Sequence, residues 1–191
     1  MRPPPLLWIL RLVVRRPHWG ASCPPEPADY LLPDLDGGPG PTVDGIPVAH
    51  TRPDAHGWAP AVLAGCRDPL PEGAPDLRGV WIVEHGRMRG MVQRIEQAGD
   101  RVVITVGSLV HDMRADGTLE GGVHDVDPNS GEIHVAADFT DGRLDLRPNG
   151  GRVMVSRRLD TADAEVMHWR YGPFRNRCRR LAGPPGGAGS A

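Results

Sequence analysis

Lysine is missing from this chain: all 22 basic residues are arginine. Beside the many alanines, glycines and prolines, this bias points to a GC-rich, bacterial genome, and it is a statement about coding, not chemistry. Aromatic residues are scarce, at 5% of the chain, whereas Gly (25) and Pro (21) together make 46 of 191 residues. That share lies at the edge of the range for partly unstructured chains. The length allows one ordinary domain or a smaller one with a long tail, and the uneven spread of Gly and Pro favours the second. A basic excess is also lacking. A net charge of −2 and a pI near 6.4 argue against a general nucleic-acid binder. The three cysteines, Cys23, Cys66 and Cys178, are widely spaced and form no C-x-x-C pair. A reduced, cytoplasmic protein is the simplest reading, because a disulfide framework needs more cysteines in even number.

Long apolar runs are absent too. The only strongly apolar stretch near the N-terminus, Leu6–Val14, carries Arg11 within it and is followed by Arg15 and Arg16. It is far shorter than the roughly 20 residues a membrane-spanning helix requires, and it lacks the clean core and small-residue cleavage site of a signal peptide. Three readings fit residues 1–23: a membrane-surface helix, an unusual export signal, or an incidental tail. Export or membrane association through residues 6–14 is thus the alternative to a cytoplasmic location. No G-x-S-x-G elbow, phosphate loop or dinucleotide fingerprint occurs anywhere.

What is present divides the chain into three. Residues 1–75 read as an irregular, largely disordered Pro/Gly-rich extension, with segments such as Asp36–Pro41 that sustain neither helix nor sheet. Residues 76–182 change character at Leu77-Arg78-Gly79-Val80-Trp81. From there short period-2 segments alternate with turn residues, and Val102–Val106 is a β-branched run of strong strand propensity. Residues 183–191 form a flexible tail. Nine or ten strands joined by hairpin-length loops must be mostly antiparallel neighbours. Such a meander exposes two edges unless it closes, so the fold class is mainly β: a small antiparallel up-and-down barrel of about 8–10 strands with an irregular N-terminal extension.

Histidines 85, 111, 124, 134 and 168 fall inside this domain, but no H-x-H or H-E-x-x-H pairing marks a metal site. His111-Asp112 and His124-Asp125 repeat a dipeptide. If Ala115-Asp116-Gly117 is a hairpin tip, however, residue 111 pairs near Glu120 or Gly121 and not near 124. Asp125–Gly131 imitates the opening of a calcium loop yet has Ser130 and Ala136 where an EF-hand needs Gly and Glu, so a hairpin turn explains it. In Arg170–Arg180, alternation sends Arg175, Arg177 and Arg179 to one face and Phe174, Asn176, Cys178 and Arg180 to the other. An arginine projecting into a barrel lumen is costly unless paired, and a carboxylate ligand would pair it. The alternative is a solvent-facing basic strip that protects an edge strand.

The Leu77-x-Gly79-x-Trp81 opening, the meander and an arginine-rich last strand resemble the calycin group, the lipocalins and intracellular fatty-acid-binding proteins. The resemblance covers residues 77 to about 181. It implies that Gly79 and Trp81 lie on the first strand, that Trp81 closes the barrel base, and that Arg175, Arg177 or Arg179 of the last strand stacks on it, with Arg177 the chosen partner. The two-helix lid of fatty-acid-binding proteins is absent, since only His85-Gly86-Arg87 separate the first two segments. The function expected is non-enzymatic: a carrier or sensor of a small hydrophobic, in one version carboxylate-bearing, molecule. Arg170, Arg177, His168 and His111 are the candidate ligand contacts, and Val103, Val106 and Val135 line the interior or its outer layer. No cofactor, metal or nucleic acid is expected. Two alternatives belong to other classes: an enzyme using His111, Asp112 or His168 inside the barrel, and a filled barrel acting as an interaction module through its arginines.

Overall fold

A computed structural model describes residues 25–35, 38–52, 56–127 and 131–184. The apolar run 6–14, the end of the C-terminal tail and most of the turn between Asp127 and Gly131 lie outside the described residues. Ten antiparallel strands follow one another: β1 (Gly79–His85), β2 (Val92–Ala98), β3 (Arg101–Val106), β4 (Leu109–Arg114), β5 (Val123–Asp127), β6 (Gly131–Thr140), β7 (Arg143–Pro148), β8 (Val155–Leu159), β9 (Val166–Tyr171) and β10 (Phe174–Ala182). Each pairs with its sequence neighbour except β4 with β5, and β1 pairs with β10, giving one sheet in the order β4-β3-β2-β1-β10-β9-β8-β7-β6-β5. This is the expected up-and-down barrel, nearly closed.

The seam lies where the sequence placed a hairpin. His111 pairs with Ile104 on β3, not with Glu120 or Gly121, and residues 115–122 cross between the free edges. Arg114 N donates to Gly121 O at 2.6 Å and Gly117 N to Ala137 O at 2.8 Å, while Asp116 and Asp138 form an isolated bridge. The departure from a hairpin has a local cause. Asp116 accepts from both the amide and the hydroxyl of Thr118, each at 2.8 Å, and folds the segment into a compact turn. Gly122 then passes so close to β6 that a Cβ there would sit 2.1 Å from Val135 O.

Strand parity fixes two faces. Inward, Val83, Ile95, Val102, Ile104, Leu144, Met167 and Trp169 form the barrel core. Outward on β2–β4, Ala98, Val103 and Val110 pack under Val43, Leu63 and Cys66 of the preceding segment. Among its described residues that segment has two short 3-10 turns, Pro27–Tyr30 and Val43–Gly45, yet Leu63 and Cys66 are fully buried. β2 and β3 are consequently covered on both sides. The irregular backbone finds its partners in strand side chains. Glu96 accepts from the amides of Val62 (2.9 Å) and Leu63 (2.7 Å), and Arg94 donates to the carbonyls of Asp29, Ala59 and Pro60. Arg101 donates to those of Val43, Ile46 and Pro47.

Near the start of β1, Trp81 packs into the barrel core. Its indole is fully buried, and Nε1–H donates to Leu77 O at 2.9 Å. The guanidinium stacked on it, 4.4 Å from the ring centre, belongs to Arg180, which corrects the expectation of Arg175, Arg177 or Arg179. The cause is parity: Arg180 shares the inward face of Asn176 and Cys178 and is the register partner of Trp81. Arg177 lies on the outer face and pairs with Glu84 at 2.8 Å, so it has no part in closure. Gly79 does. A Cβ there would stand 2.9 Å from Ala182 O and 3.1 Å from Trp81 Nε1, so Gly79→Ala should cost about 1–3 kcal/mol through overpacking, read as a lower urea midpoint at unchanged slope.

Candidate functional site

The end opposite Trp81, where the β1–β2 and β3–β4 turns meet, encloses a cavity of about 110 Å³. Its walls are largely aliphatic, with Ile104, Val106, Leu109, Ile133 and Leu146 among them, and Met88 and Met91 come from the β1–β2 connection. Val106 and Val135 line it as inward residues; Val103 does not, because it faces outward beneath Leu63 and Cys66.

Set into this apolar lining is Arg157. β8 runs Val155-Ser156-Arg157-Arg158-Leu159, and the alternation that turns Val155 inward turns Arg157 inward as well. The side chain is buried, 5% exposed, and stacks over Trp169 with its guanidinium carbon 5.0 Å from the ring centre. Only Nη2 has an acceptor, Gln93 Oε1 at 3.3 Å. Nε and Nη1 have none among the described residues, which leaves one N–H on Nε and two on Nη1 unmatched among the five a guanidinium carries. Among the described residues no carboxylate pairs with it. Burial pushes its pKa down from the ordinary guanidinium value to about 10, so it stays cationic at neutral pH at an energetic cost. Cys178, beside it in the interior, supplies no counter-charge: burial pushes the thiol up to about 12, even with Arg157 pulling the other way.

Arg157 was absent from the candidates drawn from sequence. Of those, His111 lines the cavity. Arg170 is exposed on the outer surface, in a shallow groove with Arg143, Arg158 and Arg175. His168 also faces outward, with Nε2 2.8 Å from Asp160 Oδ2; this contact, ahead of the Ala162 amide, holds the Asp160 carboxyl below its usual range. Arg177 is held by Glu84. The physical reason is again parity, since Met167, Trp169 and Tyr171 take the inward positions of β9, and Asn176 and Cys178 those of β10. The groups of the enzymatic alternative do not converge either: His111 faces the cavity, Asp112 faces the N-terminal segment through Ala49 N at 2.8 Å, and His168 lies outside. On the outer surface His124 and His134 approach with their Nδ1 atoms 2.9 Å apart, but among the described residues no group of three His, Cys, Asp or Glu is placed to hold a metal.

Among the described residues no helix is long and apolar enough to cross a membrane. Comparison with family models, with curated proteins and with solved structures gives no match for the chain.

Proposed function

We propose that the protein is a non-enzymatic carrier or sensor that binds a small hydrophobic molecule bearing an acidic group in the cavity opposite Trp81. The observation that supports this reading is Arg157, a cation buried in an apolar cavity without an anionic partner among the described residues. Native proteins pair or hydrogen-bond buried charges, because leaving one uncompensated costs several kcal/mol. A carboxylate lying against Nε or Nη1 supplies the missing acceptors with charge-assisted hydrogen bonds, the strongest class available to a guanidinium. Aliphatic walls take the rest of the ligand.

The reading gives Arg157→Met an unusual sign. The fall in pKa to about 10 reflects unfavourable solvation of the cation on the order of 3 kcal/mol. Because the folded-state pKa is the lower one, this penalty is present in full below pH 10 and fades as pH rises above 10 toward the unfolded-state value. An isosteric apolar replacement should therefore stabilise the ligand-free protein by about 1–3 kcal/mol. It should also abolish any thermal stabilisation by small organic acids, both read in one melting experiment with and without acid. A destabilised Arg157→Met protein would instead make Arg157 a structural group held by Gln93 and Trp169.

A further inference from the structure

The cavity's size and closed floor define its ligand more narrowly, on the reading that it is a ligand site at all. Beneath Arg157 the barrel is filled: Trp81, Ile95, Met167 and Cys178 are fully buried and pack into one another. The side walls are hydrogen-bonded strands except at the β4–β5 seam, which residues 115–122 cross. The space above Arg157, about 110 Å³, is somewhat smaller than the roughly 150 Å³ apolar cavity that admits benzene. Met88 and Met91 are the compliant part of its wall, because thioether side chains adapt their shape readily. Among the described residues Arg157 is the one permanently charged residue in the lining.

We infer that the ligand is a compact monoanion, a short-chain or single-ring carboxylate, whose acid group lies against Arg157 and whose apolar part fills the space up to Met88 and Met91. A longer acyl chain has nowhere to extend below the guanidinium, and beyond the methionines its added methylenes remain in water. A dianion brings a second charge into an apolar space with one cation. Size selection thus comes from the filled core and charge selection from Arg157.

The experiment is a titration of the full chain, followed by tryptophan fluorescence, to which Trp169 in the cavity wall contributes, and by calorimetry. The probes are butanoate, hexanoate, octanoate and dodecanoate, the pair benzoate and benzamide, and the dianion phthalate. Affinity is expected to rise about fourfold per methylene from butanoate to hexanoate and by less than twofold in total from octanoate to dodecanoate. Benzoate should bind at least tenfold tighter than both benzamide and phthalate. The preference over benzamide should vanish in Arg157→Met, whose fold is checked by its melting curve. A rise that continues through dodecanoate overturns the size inference but leaves the acid-binding reading standing. Equal binding of benzoate and benzamide by the native protein overturns the charge assignment whatever the variant does. If no probe binds by either method, the reading of the cavity as an acid site fails, and this inference with it.

Discussion

Asp112→Ala is expected to lower the folding free energy by about 3–5 kcal/mol, the range for removing one partner of a buried ion pair. Asp112 receives Arg101 in bidentate fashion, from Nε at 2.9 Å and Nη2 at 2.7 Å, with both side chains almost fully buried. Truncation leaves the guanidinium among the carbonyls of Val43, Ile46 and Pro47 with no counter-charge, and it strips the Ala49 amide of its acceptor. Both losses concern the same stretch of the N-terminal segment. Denaturant unfolding should report the energy, and proteolysis between residues 43 and 52 should accelerate more than cleavage within the strands. The double variant Arg101→Leu/Asp112→Leu removes charge and counter-charge together. It should cost less than the sum of the single changes, by a coupling of about 1–3 kcal/mol. A loss below about 1 kcal/mol for Asp112→Ala would mean that residues 43–52 are not held on β3 and β4 and that the extension is independent of the barrel.

Those contacts show where sequence reading stops. The strands were legible because period-2 patterning and turn residues are local properties: Val102–Val106, for instance, forms β3 almost residue for residue. The covering of β2–β4 was not, since a Pro- and Gly-rich segment carries no periodicity by which to place it. A signal did exist in the strands. A continuous apolar β-branched run bounded by turns is the mark of a strand buried on both faces, and something outside the barrel had to cover the second face. The polar residues of β2 masked this. Arg94 and Glu96 look like a solvated face, but both are fully buried, where they serve as partners for backbone groups that have no ladder of their own.

Arg157 was missed for a different reason. The richest arginine cluster, Arg170–Arg180, dominates the sequence, but its abundance is a surface property: Arg177 pairs with Glu84 and Arg179 with Asp163. In β8 the two adjacent arginines look alike. What separates them is the company each keeps two positions away: Val155 and Leu159 flank Arg157 on one face, and Ser156 accompanies Arg158 on the other. A single arginine on an apolar face is rarer than a basic strip and, for a binding site, more informative, because only the former carries an energetic cost that a ligand relieves.

Trp81→Ala should be the most damaging change at the opposite end, at about 3–5 kcal/mol, as for other large aromatic truncations in filled cores. The indole is a fully buried core residue, gives its N–H to Leu77 O and receives the Arg180 guanidinium on its face. Its loss also releases that guanidinium, which otherwise donates to Arg78 O and Ala164 O and whose burial already holds its pKa below the ordinary value. Trp81→Phe keeps the packing but drops the hydrogen bond and weakens the stacking, so a loss of about 1–2 kcal/mol is expected. Because Trp81 is not among the residues lining the cavity, the fraction of either variant that remains folded should bind benzoate with unchanged affinity. A Trp81→Phe protein as stable as the parent that no longer binds acids would reverse the assignment, making the Trp81 end the ligand site and the Arg157 cavity a packing defect.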